Sequence, residues 1–194
     1  MRHPPGGPLE RGNQPTCGTA AKLVPVPDEL VIRRAASADA GAIGRIYDEA
    51  AATGVATFAT GPHPAEERRA WLEARGPRAP VWCGEIGGEV VGWSALAPFS
   101  HRGWYAGVAE YTVYVAEAVH GRGIGRAMLT ALIGEAQAFG YWKLVGMILP
   151  ENAAGLALAR GAGFREVGTH RAHARRDGAW RDVTIVERHL EEPA

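Results

Sequence analysis

The chain has 194 residues, 46% of them hydrophobic, and its 21 Lys and Arg balance 21 Asp and Glu. That length buries one substantial core, and a net charge of zero gives no electrostatic basis for a nucleic-acid or anionic-membrane partner, so small-molecule chemistry is the expectation. Two cysteines, Cys17 and Cys83, imply no disulfide framework, and with no bilayer-length apolar run and no signal-peptide core the expectation is a cytoplasmic protein.

Residues 1–29 read as a disordered tail, because Pro4, Pro5, Pro8, Pro15, Pro25 and Pro27 are spaced by polar and small residues with little apolar surface to offset ordering entropy. One folded domain is expected over residues 30–190. Residues 31–33 predict a first strand, and Ser37 is placed to cap a helix carrying Ile43, Ile46, Tyr47 and Ala50. A loop over 53–61 carries Phe58, and Pro64 then suits the start of a helix containing Arg68, Trp71 and Leu72. Two strands, 81–86 and 89–96, flank Gly87-Gly88, a pair that supplies the positive φ angles of a two-residue hairpin turn. Tyr111, Thr112, Val113, Tyr114 and Val115 are all aromatic or β-branched and predict the central strand. Gly121, Gly123 and Gly125 precede a helix whose apolar face is Leu129, Leu132, Ile133 and Ala136. A strand over 142–149, a short helix over 152–160 and a closing hairpin of 164–174 and 180–190, turned at Asp177-Gly178, complete the order βααβββαβαββ.

The glycine turn stands where a helix begins, and unpaired N–H groups at a helix start can hold an anion that approaches a backbone free of side chains. A tight strand-to-helix connection would use glycines as well. A Walker loop is excluded, since Arg126 and Ala127 follow Gly125 where Lys-Ser/Thr is needed, and a Rossmann fingerprint would open the chain rather than lie past its middle. The turn resembles instead the pyrophosphate loop of the GNAT superfamily of N-acetyltransferases, Gln/Arg-x-x-Gly-x-Gly/Ala, with Gly123 and Gly125 on its glycines and His120 where Gln or Arg is usual. Within that superfamily the chain is similar to the phosphinothricin and methionine sulfoximine N-acetyltransferases, judged by Ile32-Arg33, Thr57-Phe58, Pro98-Phe99, Arg102, Tyr105, residues 110–115, Asn152, Gly163-Phe164, Gly178, Trp180 and Asp182. The resemblance spans residues 31–190 and implies the α/β GNAT fold, a mixed and mostly antiparallel sheet flanked by helices, with acetyl-CoA as co-substrate, no metal and a homodimeric enzyme.

The residues can be read against the needs of amide formation. An amine of pKa about 8 is mostly protonated near neutrality, so a carboxylate that accepts its proton releases the nucleophile. Glu110, beside the central strand, matches the glutamate that the family's mechanism gives this role; a solvated carboxylate is the alternative. The backbone N–H groups of Val113 and Val115 are candidates to polarise the thioester carbonyl. Residues 113–115, 121–126 and Asn152 form the expected cofactor site, namely Val113, Tyr114, Val115, Gly121, Arg122, Gly123, Ile124, Gly125, Arg126 and Asn152. Arg102 offers a planar fork for a carboxylate or phosphinate, with Phe58 and Tyr105 as pocket walls, although a solvated arginine and core aromatics fit the same residue types. The sequence departs from the family at Ala159, where a Tyr or His is usual, and at Gly155, where a Ser is common. His170 and His173 are three apart in a strand and are expected on opposite faces, which argues against a metal site. The function implied is acetylation of the amino group of a small amino-acid analogue; acetylation of a peptide N-terminus and a non-catalytic acyl-CoA sensor are the alternatives.

Overall fold

A computed structural model describes residues 26, 27 and 29–190 of the protein. Most of the expected tail, including Cys17, lies outside the described residues. Strands β1 (Val31–Arg34), β2 (Val81–Ile86), β3 (Glu89–Pro98), β4 (Val108–Val115), β5 (Lys143–Ile148), β6 (Arg165–Arg176) and β7 (Ala179–His189) form one sheet in the order β1-β2-β3-β4-β5-β7-β6. Helices α1 (Ala40–Ala52), α2 (Ala65–Glu73), α3 (Ile124–Ala138) and α4 (Ala153–Gly161) complete the order expected from the sequence. Only β4 and β5 run parallel.

Period-two alternation sends the strand side chains to two layers. Val81, Cys83, Trp93 and Ala95 pack under α1 against Ile43 and Ile46. Trp82, Leu96, Ala109 and Tyr111 pack on the other face against Leu129, Leu132, Ile133 and Ala136 of α3 and Leu156 of α4. Both faces of the sheet are therefore covered over β2–β4. The hairpin turns have the expected chemistry: Gly87 and Gly88 have φ of 58° and 83°, and Asp177 and Gly178 have 50° and 78°.

The first helix starts differently from its expectation. Ser37 does not cap it; residues Ser37–Asp39 form a 3-10 turn, and α1 begins at Ala40 with Asp39 before it. The reason is Arg33, whose guanidinium holds Asp39 in a fork at 2.8 and 2.9 Å while the same carboxylate accepts the Ala36 N–H at 2.8 Å. Arg33 also donates to Glu85 at 2.8 Å, which ties β1 to β2 and to the start of α1. Cys83 is buried beside this network, and burial pushes its thiol up to about 12.

Candidate active site

The site begins where the parallel strands part. β4 and β5 pair only at Val108↔Lys143, Ala109↔Leu144 and Glu110↔Val145, and β4 then continues for five residues without β5 beside it. The antiparallel register with β3 decides which backbone groups face the gap. Phe99 donates to the Val108 carbonyl and Ala116 to the Val91 carbonyl, so residues of even number bond β3, and the N–H groups of Val113 and Val115 point toward the gap. The ring of Tyr111 lies over Gly146 of β5, where an added Cβ would come within 2.6 Å of it, and packs on Phe164 at 4.7 Å between centroids.

Glu110, Thr112 and Tyr114 share the face of β4 beneath α1 and α2, and all three line a cavity of about 580 Å³. Tyr47, Trp71 and Trp93 supply aromatic wall, Phe58 comes from the loop before α2, and Arg68 and Arg75 come from α2 and the residues after it. Glu110 is the one carboxylate in this lining, and among the described residues it makes no ion pair and no side-chain hydrogen bond. Burial raises its carboxyl above the ordinary value, which makes it a stronger proton acceptor than an exposed glutamate. Burial likewise holds the Tyr114 phenol well above its ordinary value, so it is a neutral hydroxyl beside those of Tyr47 and Thr57.

A second cavity of about 680 Å³ lies on the far side of the gap and is lined by Val113, Val115, His120, Gly121, Gly123, Ile124, Gly125, Arg126 and Asn152. Its floor is the start of α3. Gly123 precedes the helix with φ of 75° and Gly121 has 76°, left-handed values that suit glycine. A Cβ on Gly121 would meet nothing within 4 Å, so open space fronts the loop. The His120 ring reaches the Val115 carbonyl at 2.9 Å and ties the loop to the end of β4. Asn152 caps α4 by accepting the Gly155 N–H at 2.8 Å, and a Cβ on Gly155 would press within 2.8 Å of the Asn152 side chain, which accounts for glycine there. Ala56 and Tyr114 line both cavities and mark where they meet.

The arrangement, a phosphate-sized cradle joined through a split sheet to a pocket with an unpaired carboxylate, agrees with the comparisons to known proteins. The Acetyltransferase (GNAT) family profile matches residues 43–164. An L-methionine sulfoximine/L-methionine sulfone acetyltransferase of Pseudomonas paraeruginosa is 32% identical over 162 residues, 82% of this chain and 94% of the relative. The chain belongs to the GNAT acetyltransferase family. Among solved members, a ribosomal-protein-alanine N-acetyltransferase of Brucella melitensis superposes with a TM-score of 0.78 at 35% identity, covering 82% of this chain and 99% of its own. A phosphinothricin acetyltransferase of Sinorhizobium meliloti, solved with acetyl-CoA, superposes with a TM-score of 0.78 at 28% identity, covering 84% and 90%.

Most of the GNAT residues expected from the sequence converge on these cavities, but three do not. Arg102 and Tyr105 are exposed on the turn before β4 and line neither cavity; Tyr105 packs edge-on to Phe99 at 6.0 Å instead. Arg122 faces outward near Glu29 at 3.9 Å. Ala159 is fully buried in the core and opens onto neither cavity. The two-face argument for His170 and His173 fails at a bulge: β6 shifts register between His170 and Ala174, Ala172 takes φ of 47°, and the rings come to 4.7 Å, with His173 on the pocket wall. Among the described residues no group of three or more His, Cys, Asp or Glu is placed to hold a metal. Sequence reasoning missed Arg68 and Arg75 as pocket residues, although with Trp71 they fall at the i, i+3, i+7 spacing of one helix face.

Proposed function

We propose that this GNAT enzyme transfers the acetyl group of acetyl-CoA to the α-amino group of a small amino-acid analogue of the phosphinothricin or methionine sulfoximine type, with Glu110 as general base. The observation that carries the reading is Glu110 itself, an unpaired carboxylate raised by burial, at the point where β4 and β5 separate and inside a pocket with two arginines.

The second cavity fits the co-substrate. Its volume is that of a small-ligand site, the first-turn N–H groups of α3 face it, and Gly121 and Gly123 keep the approach free of side chains. Residues 121–126, with Val113, Tyr114, Val115 and Asn152 on the walls, would hold its pyrophosphate and pantetheine portions. Acetyl-CoA, when bound, supplies the acetyl group as a thioester with an electrophilic carbonyl carbon. Glu110 accepts the ammonium proton, which frees the nitrogen lone pair to form the new C–N bond. The N–H groups of Val113 and Val115 are the donors available to a carbonyl oxygen in the gap, and such a donor contributes about 3 kcal/mol to lowering a barrier of this type. No acid is required at Ala159, because a thiol of ordinary pKa near 8.5 departs readily as its anion.

The same reading includes a cytoplasmic homodimer, supported by the apolar side chains that the β6–β7 hairpin leaves exposed, Val167 and Trp180. Sedimentation of the purified enzyme tests it. The activity itself is tested by thiol release from acetyl-CoA over a panel of phosphinothricin, methionine sulfoximine, methionine sulfone and short peptides with free N-termini. Turnover of the amino acids is expected. Turnover confined to the peptides would replace this reading with N-terminal acetylation, and cofactor binding without any turnover would replace it with a sensor.

A further inference from the structure

The pocket holds more positive charge than a simple zwitterion needs. Arg68 and Arg75 both contact one indole, their guanidinium carbons 5.4 and 4.6 Å from the Trp71 centroid, so they lie at most about 10 Å apart. Arg75 uses Nε and Nη2 on the carbonyls of Ala79 and Leu96 and meets no carboxylate among the described residues. Arg68 reaches only Glu67, at 2.8 Å, and that partner is 57% exposed and outside the pocket. In neither arginine does Nη1 have a hydrogen-bond partner among the described residues. Against these two cations stands the single carboxylate of Glu110, so the lining itself carries one cation in excess, with Glu67 balancing Arg68 only from outside the pocket.

An amino acid with an uncharged side chain, entering as a zwitterion, would leave that excess in place. One bearing a second acid group would cancel it. Position assigns the two contacts. Arg75 is anchored on the Leu96 carbonyl, on the β2 side of β3, level along the sheet with Glu110, which pairs with Ala97. The α-carboxylate is tied to the carbon that bears the reacting amine, which assigns it to the arginine level with the base. Arg68 lies over the Tyr47 ring, at 5.5 Å, and that ring packs on Tyr114 at 5.1 Å, four residues along β4 from Glu110, where a side-chain terminus would reach. In a γ-acid amino acid the two acid groups are four bonds apart, about 5 Å when extended, a span that guanidiniums spaced in this way can bracket.

Resting on the acetyltransferase reading above, we propose that Arg75 and Arg68 form a two-point clamp for amino acids that carry a second acid group, Arg75 on the α-carboxylate and Arg68 on the side-chain acid. The enzyme then prefers an acid such as phosphinothricin to a neutral analogue such as methionine sulfone. The test compares kcat/KM for these two substrates at saturating acetyl-CoA. Wild type should favour the acid by about tenfold or more, and Arg68→Gln should remove most of that ratio through KM, since the lost contact is one of substrate binding. Arg68→Lys, which keeps the charge without the fork, should retain an intermediate ratio, while Arg75→Gln should lower kcat/KM for both substrates. A wild-type preference for methionine sulfone, or an unchanged ratio in folded Arg68→Gln, overturns the clamp with the acetyltransferase reading intact. If neither amino acid is acetylated, that reading fails, and calorimetric titration of phosphinothricin into the CoA-bound enzyme decides the clamp alone. Binding weakened by Arg68→Gln supports it, and absent or Arg68-independent binding overturns it.

Discussion

Replacing Glu110 with Gln keeps the shape of the side chain and removes its basicity. The residue has no ion pair or side-chain hydrogen bond among the described residues, so the substitution breaks no structural contact, and the loss should appear in turnover by the 10²- to 10⁴-fold usual for a general base. Acetyl-CoA affinity should be unchanged, because Glu110 is absent from the walls of the second cavity. An amine of pKa about 8 is about one-tenth neutral at pH 7, so a variant that must wait for solvent to take the proton should gain about tenfold between pH 7 and 9 and close part of its gap to wild type. Stability should move in the opposite direction to activity. Burial raises the folded-state pKa of Glu110 above its unfolded value, so the native state is favoured when the group is protonated and loses stability as pH rises from the unfolded to the folded pKa. Above both, wild type carries the full cost of a buried carboxylate and Glu110→Gln should melt at a higher temperature, a difference that vanishes at pH values below the unfolded pKa. Thiol-release kinetics from pH 6 to 9.5 and thermal melts from pH 3 to 8 read both effects. Wild-type turnover in the folded variant at pH 7 would remove Glu110 from the chemistry, and a deep loss without alkaline recovery would make it a positioning residue.

Three further outcomes follow from local geometry. Gly123→Val places a β-branched residue at φ of 75° and fills the mouth of the cradle, so acetyl-CoA affinity measured by calorimetry should fall by at least about tenfold; unchanged affinity in the folded protein would refute the cradle. Gly146→Ala would drive a methyl to within 2.6 Å of Tyr111 and 2.9 Å of Val186, an overpacking cost of about 1–3 kcal/mol, read as a melting temperature lower by several degrees; no change would show that the Tyr111 ring can yield. Asp39 has its carboxyl held below the ordinary value by the Arg33 fork, so its contribution is present above the unfolded pKa and is lost as pH falls through the folded one. Asp39→Asn should cost about 1–2 kcal/mol at pH 7, a modest value because Arg33 is 37% exposed, and chemical denaturation should show that difference shrinking below pH 4.

The element order was legible because each element carries its own local signal. β2 and β3 were readable from apolar runs around Gly87-Gly88, and α3 from a stripe that begins directly after the glycines. Glu110 was legible as an acid next to the most β-prone run in the chain, and the gap-facing N–H groups of Val113 and Val115 follow from the register of that run with β3. The failures share a cause, which is that tertiary contact overrode a local rule. Ser37 has a capping side chain, yet the Arg33–Asp39 fork, made by a strand six residues upstream, sets where α1 starts. His170 and His173 obey two-residue alternation only in an unbroken strand, and the bulge at Ala172 breaks it. Arg68 and Arg75 look like charges on a solvated helix face until β3 and β4 are placed beneath them, and Arg102 looks like a pocket residue until the path of its loop is known.

The shared boundary of the two cavities has a kinetic consequence. Among the described residues only Ala56 and Tyr114 are common to both linings, so under the proposed assignment donor and acceptor each have a separate doorway, and neither must leave for the other to enter. Among the described residues neither lining contains a Cys or Ser to store the acyl group between visits. Direct transfer with both reactants aboard is the expectation, so initial-rate lines for one reactant at several fixed levels of the other should intersect rather than run parallel. A desulfo analogue of the donor should compete with acetyl-CoA while leaving the amino-acid doorway open.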